Sequence, residues 1–174
     1  MLSIFKCVPD AIIPSYATAS SACFDIHACL IEGTQVKSFV HFPPSPFGSS
    51  EHTRLFTINE KRDLELPAGT RALIPTGLKF DIGTGHSVRL HPRSGLSFKR
   101  GLSLSNCEGV IDADYVDEVF VSIINLSACS VTIRHGDRIC QAELVKDLRC
   151  DILETSVEPT KKTNRSGGFG STGV

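Results

Sequence analysis

The chain has 174 residues, with 18 lysines and arginines against 19 aspartates and glutamates, for a formal net charge of −1. That length predicts one domain, and the charge balance gives no support to a nucleic-acid or membrane surface built on bulk positive charge. No stretch approaches the roughly eighteen consecutive apolar residues that a spanning helix needs.

From the N-terminus, Pro9, Asp10 and Pro14 interrupt the apolar run that a secretory signal would require. Residues 38–60 carry Pro43, Pro44, Pro46, Gly48, Ser49 and Ser50 and read as an extended surface loop between strands. Beyond it, Leu64 to Leu66, Arg71 to Ile74, Val88 to Leu90, Val119 to Asn125, Val131 to Ile133 and Ile139 to Val145 read as strands. Tight-turn chemistry separates them at Pro67-Ala-Gly69, Gly83-Thr-Gly85, Arg93-Ser-Gly95, Glu108-Gly109 and His135-Gly-Asp137. Only Gly95 to Lys99 suggests one or two helical turns. Short strands at this spacing predict an all-β sandwich or barrel. The tail 156–174 holds Gly167, Gly168, Gly170, Gly173 and one aromatic, Phe169, too little apolar area to order itself. It is either a frayed terminus or an arm that orders over a ligand.

The seven cysteines are odd in number and show no C-x-x-C pair, and the six histidines form no H-E-x-x-H cluster. Neither a disulfide framework nor a zinc site is predicted, and a reducing, cytoplasmic compartment fits best. Two stretches can carry chemistry. Arg93, Ser94 and the amide of Gly95 offer a guanidinium fork, a hydroxyl and a backbone donor to phosphate oxygens, although the same string also suits a plain exposed turn. Residues 106–119 read as a strand, a turn and a returning strand, a hairpin whose mouth could take a flat ring. Asp112 and Asp114 share a face of it if the segment is extended, or form a solvated end.

Five segments in order resemble the trimeric dUTP pyrophosphatase (dUTPase) family. They are Ser21-Ala-Cys-Phe-Asp25-Ile, Pro92-Arg-Ser-Gly-Leu96, Gly109-Val-Ile-Asp-Ala-Asp-Tyr115, Gly136-Asp-Arg-Ile-Cys-Gln141 and Gly167-Gly-Phe-Gly-Ser-Thr-Gly173. The resemblance implies a distorted jelly-roll or β-barrel of the β-clip type over residues 1–155, a surface insertion around 32–63, and a flexible arm over 156–174. It implies hydrolysis of dUTP to dUMP and pyrophosphate with Mg²⁺, in a homotrimer whose sites lie between subunits and whose arm comes from a third chain. Asp112 matches the base that activates water, and Asp25 supports the metal through water. Arg93, Ser94, Gly95 and Gln141 match phosphate contacts. Tyr115 packs beneath the deoxyribose, while Asn106, Gly109, Val110, Ile111 and the backbone near Phe120 enclose uracil. Arg165, Phe169, Gly170 and Ser171 belong to the arm, with Phe169 stacking on the base. Asp117 stands where the motif carries glycine, which aspartate tolerates even in a left-handed backbone.

The same-fold rival is dCTP deaminase, which resembles this chain around the hairpin but carries a glutamate three residues before its asparagine. Here that position, three before Asn125, is Ser122. A rival of another class is a catalytically idle regulator that binds a protein through the 32–63 loop.

Overall fold

The computed structural model describes residues 1–40 and 52–164. Its strands are β1 (Leu2–Lys6), β2 (Phe24–His27), β3 (Gln35–Val40), β4 (His52–Thr57), β5 (Asp63–Leu66), β6 (Thr70–Pro75), β7 (Leu78–Ile82), β8 (His86–His91), β9 (Leu102–Leu104), β10 (Gly109–Ile111), β11 (Phe120–Asn125), β12 (Val131–Arg134) and β13 (Arg138–Lys146). Among the described residues one helix, α1 (Ser94–Arg100), interrupts them. The larger sheets have the orders β10-β8-β13-β2 and β4-β3-β6-β11-β9, and two-stranded sheets join β1 to β7 and β12 to β5. The fold is all-β and jelly-roll-like, and the sheets do not close into a barrel.

Strict alternation explains which side chains reach the core. In β6, Thr70, Ala72 and Ile74 point inward, and in β11 Val121, Ile123 and Asn125 do so. The register puts Val121 opposite Ile74 and Ile123 opposite Ala72, so these apolar residues meet within one layer. The four-stranded sheet follows the same rule: Phe24, Ile26, Val88, Leu90 and Ala142 are buried. Their neighbours Asp25, His27, Arg89, His91, Gln141 and Glu143 are thereby turned to the outer face.

Two expectations need correction. The 32–63 stretch is not one surface excursion, because β3 pairs with β4 over six positions and with β6 beyond. The hydroxyl of Ser38, a buried polar residue in β3, donates to the Arg54 carbonyl at 3.1 Å. A serine at an inward position hides the apolar alternation, and the prolines that follow dominate the window. Residues 41–51 of that stretch lie outside the described residues. Residues 106–119 likewise form no self-paired hairpin. Strand β10 pairs with β8, whereas β11 pairs with β6 and β9, so 112–119 crosses between the two larger sheets. The crossing is pinned at its end, where the Val119 amide donates to Leu78 O at 2.9 Å and Thr76 Oγ1 donates to Val119 O at 2.7 Å.

Asn125 closes β11 with no solvent exposure. Its Nδ2 donates to Leu66 O at 2.9 Å and Cys129 O at 2.8 Å, and its Oδ1 accepts from the Ser127 amide at 2.9 Å and hydroxyl at 2.7 Å. Replacing it removes four hydrogen bonds, of which the one to Leu66 O is fully buried. Asn125→Ala is expected to cost about 2–4 kcal/mol, read from the urea midpoint, and an unchanged midpoint would show that the network carries no stability.

Candidate functional site

The expected site residues fall into two groups at opposite ends of the four-stranded sheet. At one end, β13 runs between β8 and β2, with Gln141 opposite both His91 and Asp25. A register shift between Arg138 and Cys140 breaks the alternation, which buries Ile139 and Cys140 in succession. Bulges of this kind re-aim a side chain. Arg138 Nη1 accordingly donates to Asp25 Oδ2 at 3.1 Å, while Arg93 Nε donates to Asp25 Oδ1 at 2.9 Å. Arg93 also reaches Arg138 O at 3.2 Å, and Gln141 Nε2 reaches Pro92 O at 3.2 Å. Two guanidinium groups thus share one carboxylate, leaving a surplus positive charge for an anion. Burial of the Cys140 thiol beneath this cluster pushes its pKa far up, so it stays protonated and inert.

Ser94 and Gly95 open α1 and are exposed. A Cβ added at Gly95 meets no atom within 4 Å, so this chain's own packing does not require glycine there. Gly109 is the opposite case, since its Cβ would sit 3.1 Å from the Leu90 side chain.

At the other end lies a cleft of about 490 Å³ lined by Asp112, Ala113 and Asp114 on one side and by Thr84, His86, Asp147 and Arg149 across from them. Asp112 and Asp114 share this cleft through a turn, with the Tyr115 amide donating to Asp112 O at 3.1 Å, and not through an extended strand. Neither carboxylate has a hydrogen-bond or ion-pair partner among the described residues. The Tyr115 ring is 41% exposed, and its hydroxyl donates to Glu118 O at 2.8 Å. The Glu118 carboxylate in turn accepts from the Gly77 amide at 2.8 Å, which holds in place the residue that anchors the tyrosine hydroxyl. Asp117 does not adopt a left-handed backbone, and its carboxylate lies 3.8 Å from Lys79 Nζ.

Asn106 is exposed in the turn between β9 and β10. Strand β10 is the edge of its sheet, and along its free side Gly109, Val110 and Ile111 keep backbone groups that can read the hydrogen-bonding edge of a flat ring. Phe120 is 45% exposed at the start of β11. Ile111 pairs with Val88 near one end of β8, while Arg93 lies beyond the other end, so Asp112 and Arg93 are about 20 Å apart along the strand. One chain does not bring them together. Arg165, Phe169, Gly170 and Ser171 lie outside the described residues.

Arg138 was not among the expected contacts, although it sits inside the fourth motif; the missing signal was its pairing with a residue 113 positions away. Among the described residues, no three His, Cys, Asp or Glu side chains are grouped to hold a metal. Both oxygens of Asp25 are taken by guanidinium groups, which fits a role toward an ion through water better than direct ligation.

The turn that presents Arg138 is tied down by Arg62. Its guanidinium contacts Asp10 at 2.9 Å, Leu30 O at 2.9 Å and His135 Nδ1 at 2.9 Å. Burial, and next the Arg62 charge, hold His135 below its usual value of 6.5, with Asp10 opposing. The unfolded chain therefore takes up this proton at a higher pH than the native one, and stability is lost as pH falls below about 6.5. His27 is lowered by burial too and adds to the slope. His135→Gln is expected to flatten the fall in urea midpoint between neutral and mildly acid pH; an identical slope would remove His135 from the account.

A family model described as dUTPase matches residues 46–173. A deoxyuridine 5'-triphosphate nucleotidohydrolase of Finegoldia magna is 44% identical over 74% of this chain and 88% of its own length. One from Nautilia profundicola is 35% identical over 99% of this chain and 98% of its own. Among solved structures, a dUTPase of Staphylococcus bacteriophage 80alpha bound to dUpNHpp superposes with a TM-score of 0.74 at 19% identity, covering 100% of this chain and 99% of that one. The dUTPase of phage phi11 of S. aureus, described with a structural Mg(II) ion, gives 0.66 at 17% identity, over 90% of this chain and 97% of that one. The matched family model and these relatives agree: the chain belongs to the dUTPase family.

Proposed function

We propose that this chain hydrolyses dUTP to dUMP and pyrophosphate at sites completed between copies of itself, in a homotrimer working in the reducing cytoplasm. Family membership supports the activity. What supports sharing is the offset along β8, which puts Asp112 and Arg93 about 20 Å apart on a single sheet. A dUTP molecule could not touch both groups of one chain with its α-phosphate at the base. A second copy whose Asp112 end meets the first copy's Arg93 end supplies what is missing.

In this reading the uracil lies along the free edge of β10, between Asn106, the backbone from Gly109 to Asp112, and the backbone at Phe120. A thymine methyl collides in that narrow mouth, and cytosine leaves backbone donors or acceptors unpaired. The braced Tyr115 ring lies beneath the deoxyribose and leaves no room for a 2′-hydroxyl. Arg93, Ser94, the Gly95 amide and Gln141 hold the phosphates, and the open space at Gly95 suits a close approach of phosphate oxygen. Asp112 removes a proton from water, the water oxygen bonds to the α-phosphorus, and the bridging oxygen to the β-phosphorus leaves with pyrophosphate. Mg²⁺ carried on the phosphates, with Asp25 acting through water, would neutralise charge on the leaving group. The 156–174 arm, through Arg165, Phe169, Gly170 and Ser171, closes over the bound nucleotide. The deaminase reading is not favoured: Ser122 sits at the position of that family's glutamate, and its hydroxyl is 2.6 Å from Ser105 Oγ.

Asp112→Asn is expected to lower kcat by on the order of 10²–10⁴ while dUTP still binds. Co-expressing it with Arg93→Ala tests the sharing, because a site drawing Asp112 from one chain and Arg93 from another is whole in about one case in four. Activity near that fraction of wild type supports the shared site. Co-purified mixed oligomers as inactive as either parent would contradict it.

A further inference from the structure

The crossing from β10 to β11 carries Tyr115 with almost no packing of its own. Of residues 112–118 only Ala113 and Glu118 are partly buried, and the rest, Tyr115 included, are exposed. A ring that refuses a 2′-hydroxyl by collision has to hold its place to within about 0.5 Å. Core packing does not supply that here, so the hydrogen bonds around the ring decide it.

The support comes from the turn that joins β6 to β7. Tyr115 Oη donates to Glu118 O at 2.8 Å, and the same peptide unit donates its Val119 amide to Leu78 O at 2.9 Å. A trans peptide points its N–H and C=O opposite ways, so this one unit bridges the tyrosine hydroxyl to the start of β7. The Glu118 carboxylate reaches the residue before, accepting from the Gly77 amide at 2.8 Å. Thr76 completes the clamp, donating to Val119 O at 2.7 Å and accepting from the Leu78 amide at 3.2 Å. The base of this clamp has little freedom. Gly77 has φ +67°, and a Cβ there would lie 2.8 Å from the Ala11 side chain and 2.9 Å from Cys29 Sγ. The Cys7 amide holds Gly77 O at 2.7 Å, and the Cys29 amide holds Pro75 O at 2.8 Å. The Asp117–Lys79 pair beside it is a weaker tie, 3.8 Å long between two well-exposed side chains. A carboxylate accepting from a main-chain N–H is the stronger kind of bond.

We infer that Glu118 is a positioning residue for sugar selection: its carboxylate fixes the peptide that anchors Tyr115, and through that ring it sets how strongly a ribonucleotide is refused. Glu118 itself touches no part of the nucleotide. The inference rests on the proposed dUTP hydrolysis, with Tyr115 beneath the deoxyribose. Without the carboxylate the Gly77 amide loses its acceptor, the Glu118 carbonyl is free to tilt, and the ring can yield to a 2′-hydroxyl. A deoxyribose does not press on the ring, so dUTP is affected less than UTP. Glutamine at this position keeps an acceptor oxygen for the Gly77 amide, and alanine keeps none.

The readout is the ratio of kcat/KM for dUTP to that for UTP, with the urea midpoint measured alongside. Glu118→Ala is expected to lower the ratio about tenfold, the scale of one hydrogen bond to a charged group, mostly through a gain on UTP. Glu118→Gln is expected to restore most of it. Tyr115→Phe cuts the same link from the ring side and lowers the ratio similarly. Adding Glu118→Ala to it changes little more, since one link can be broken only once. A loss of stability alone would lower turnover of both nucleotides together and leave the ratio in place. An unchanged ratio in folded Glu118→Ala, or in Tyr115→Phe should the alanine variant not fold, overturns the positioning role while dUTP hydrolysis stands. A wild type that does not hydrolyse dUTP, or that hydrolyses UTP equally fast, overturns the proposed function and this inference with it.

Discussion

The register of β13 between β8 and β2 is the constraint on which the rest depends. Gln141 sits opposite His91 on one side and Asp25 on the other, so a slip of one residue would turn these outward side chains into the core. The slip is opposed by Ala142 and Cys140, both fully buried, and by Val88 and Leu90 on the neighbouring strand. The bulge at Arg138–Cys140 breaks the alternation of β13, and it releases Arg138 toward Asp25. Apolar packing therefore sets the positions, and the ion pairs finish the orientation. Because Asp25 is mostly buried, with its side chain 16% exposed, removing either guanidinium would leave a poorly solvated charge.

The same sheet underlies the proposed sharing of a site between copies. Its length separates the cationic end from the Asp112 cleft, and its outermost strand, β10, leaves a free backbone edge. An exposed edge is a liability unless something covers it. A nucleotide base reading that edge, next to a second copy supplying cations, would use the edge and complete the site at once.

Much of this was legible in the sequence, and for identifiable reasons. Val119 to Asn125 and Ile139 to Val145 are short apolar runs bounded by turn residues, and β11 and β13 lie within a residue of those bounds. Strands β3 and β4 were missed because Ser38 is buried through a backbone hydrogen bond that no polarity pattern reveals. The stretch around Asp112 was read as a self-paired hairpin, since local sequence shows two strands and a turn but not which sheet each strand joins. Arg138 lay inside a recognised motif without a role, because its partner Asp25 is brought alongside only by the long-range pairing of β13 with β2. Tyr115 was identified from its motif; its bracing by Glu118 and Gly77 became visible only with the crossing loop in place.

The most direct test of the account is pyrophosphate release with Mg²⁺ from dUTP, dCTP, dTTP and UTP in separate reactions, with ammonia assayed in the dCTP reaction. The account predicts release from dUTP alone, with the methyl, the exocyclic amine and the 2′-hydroxyl each rejected. Ammonia from dCTP, comparable release from UTP or dTTP, or no release from dUTP would contradict it.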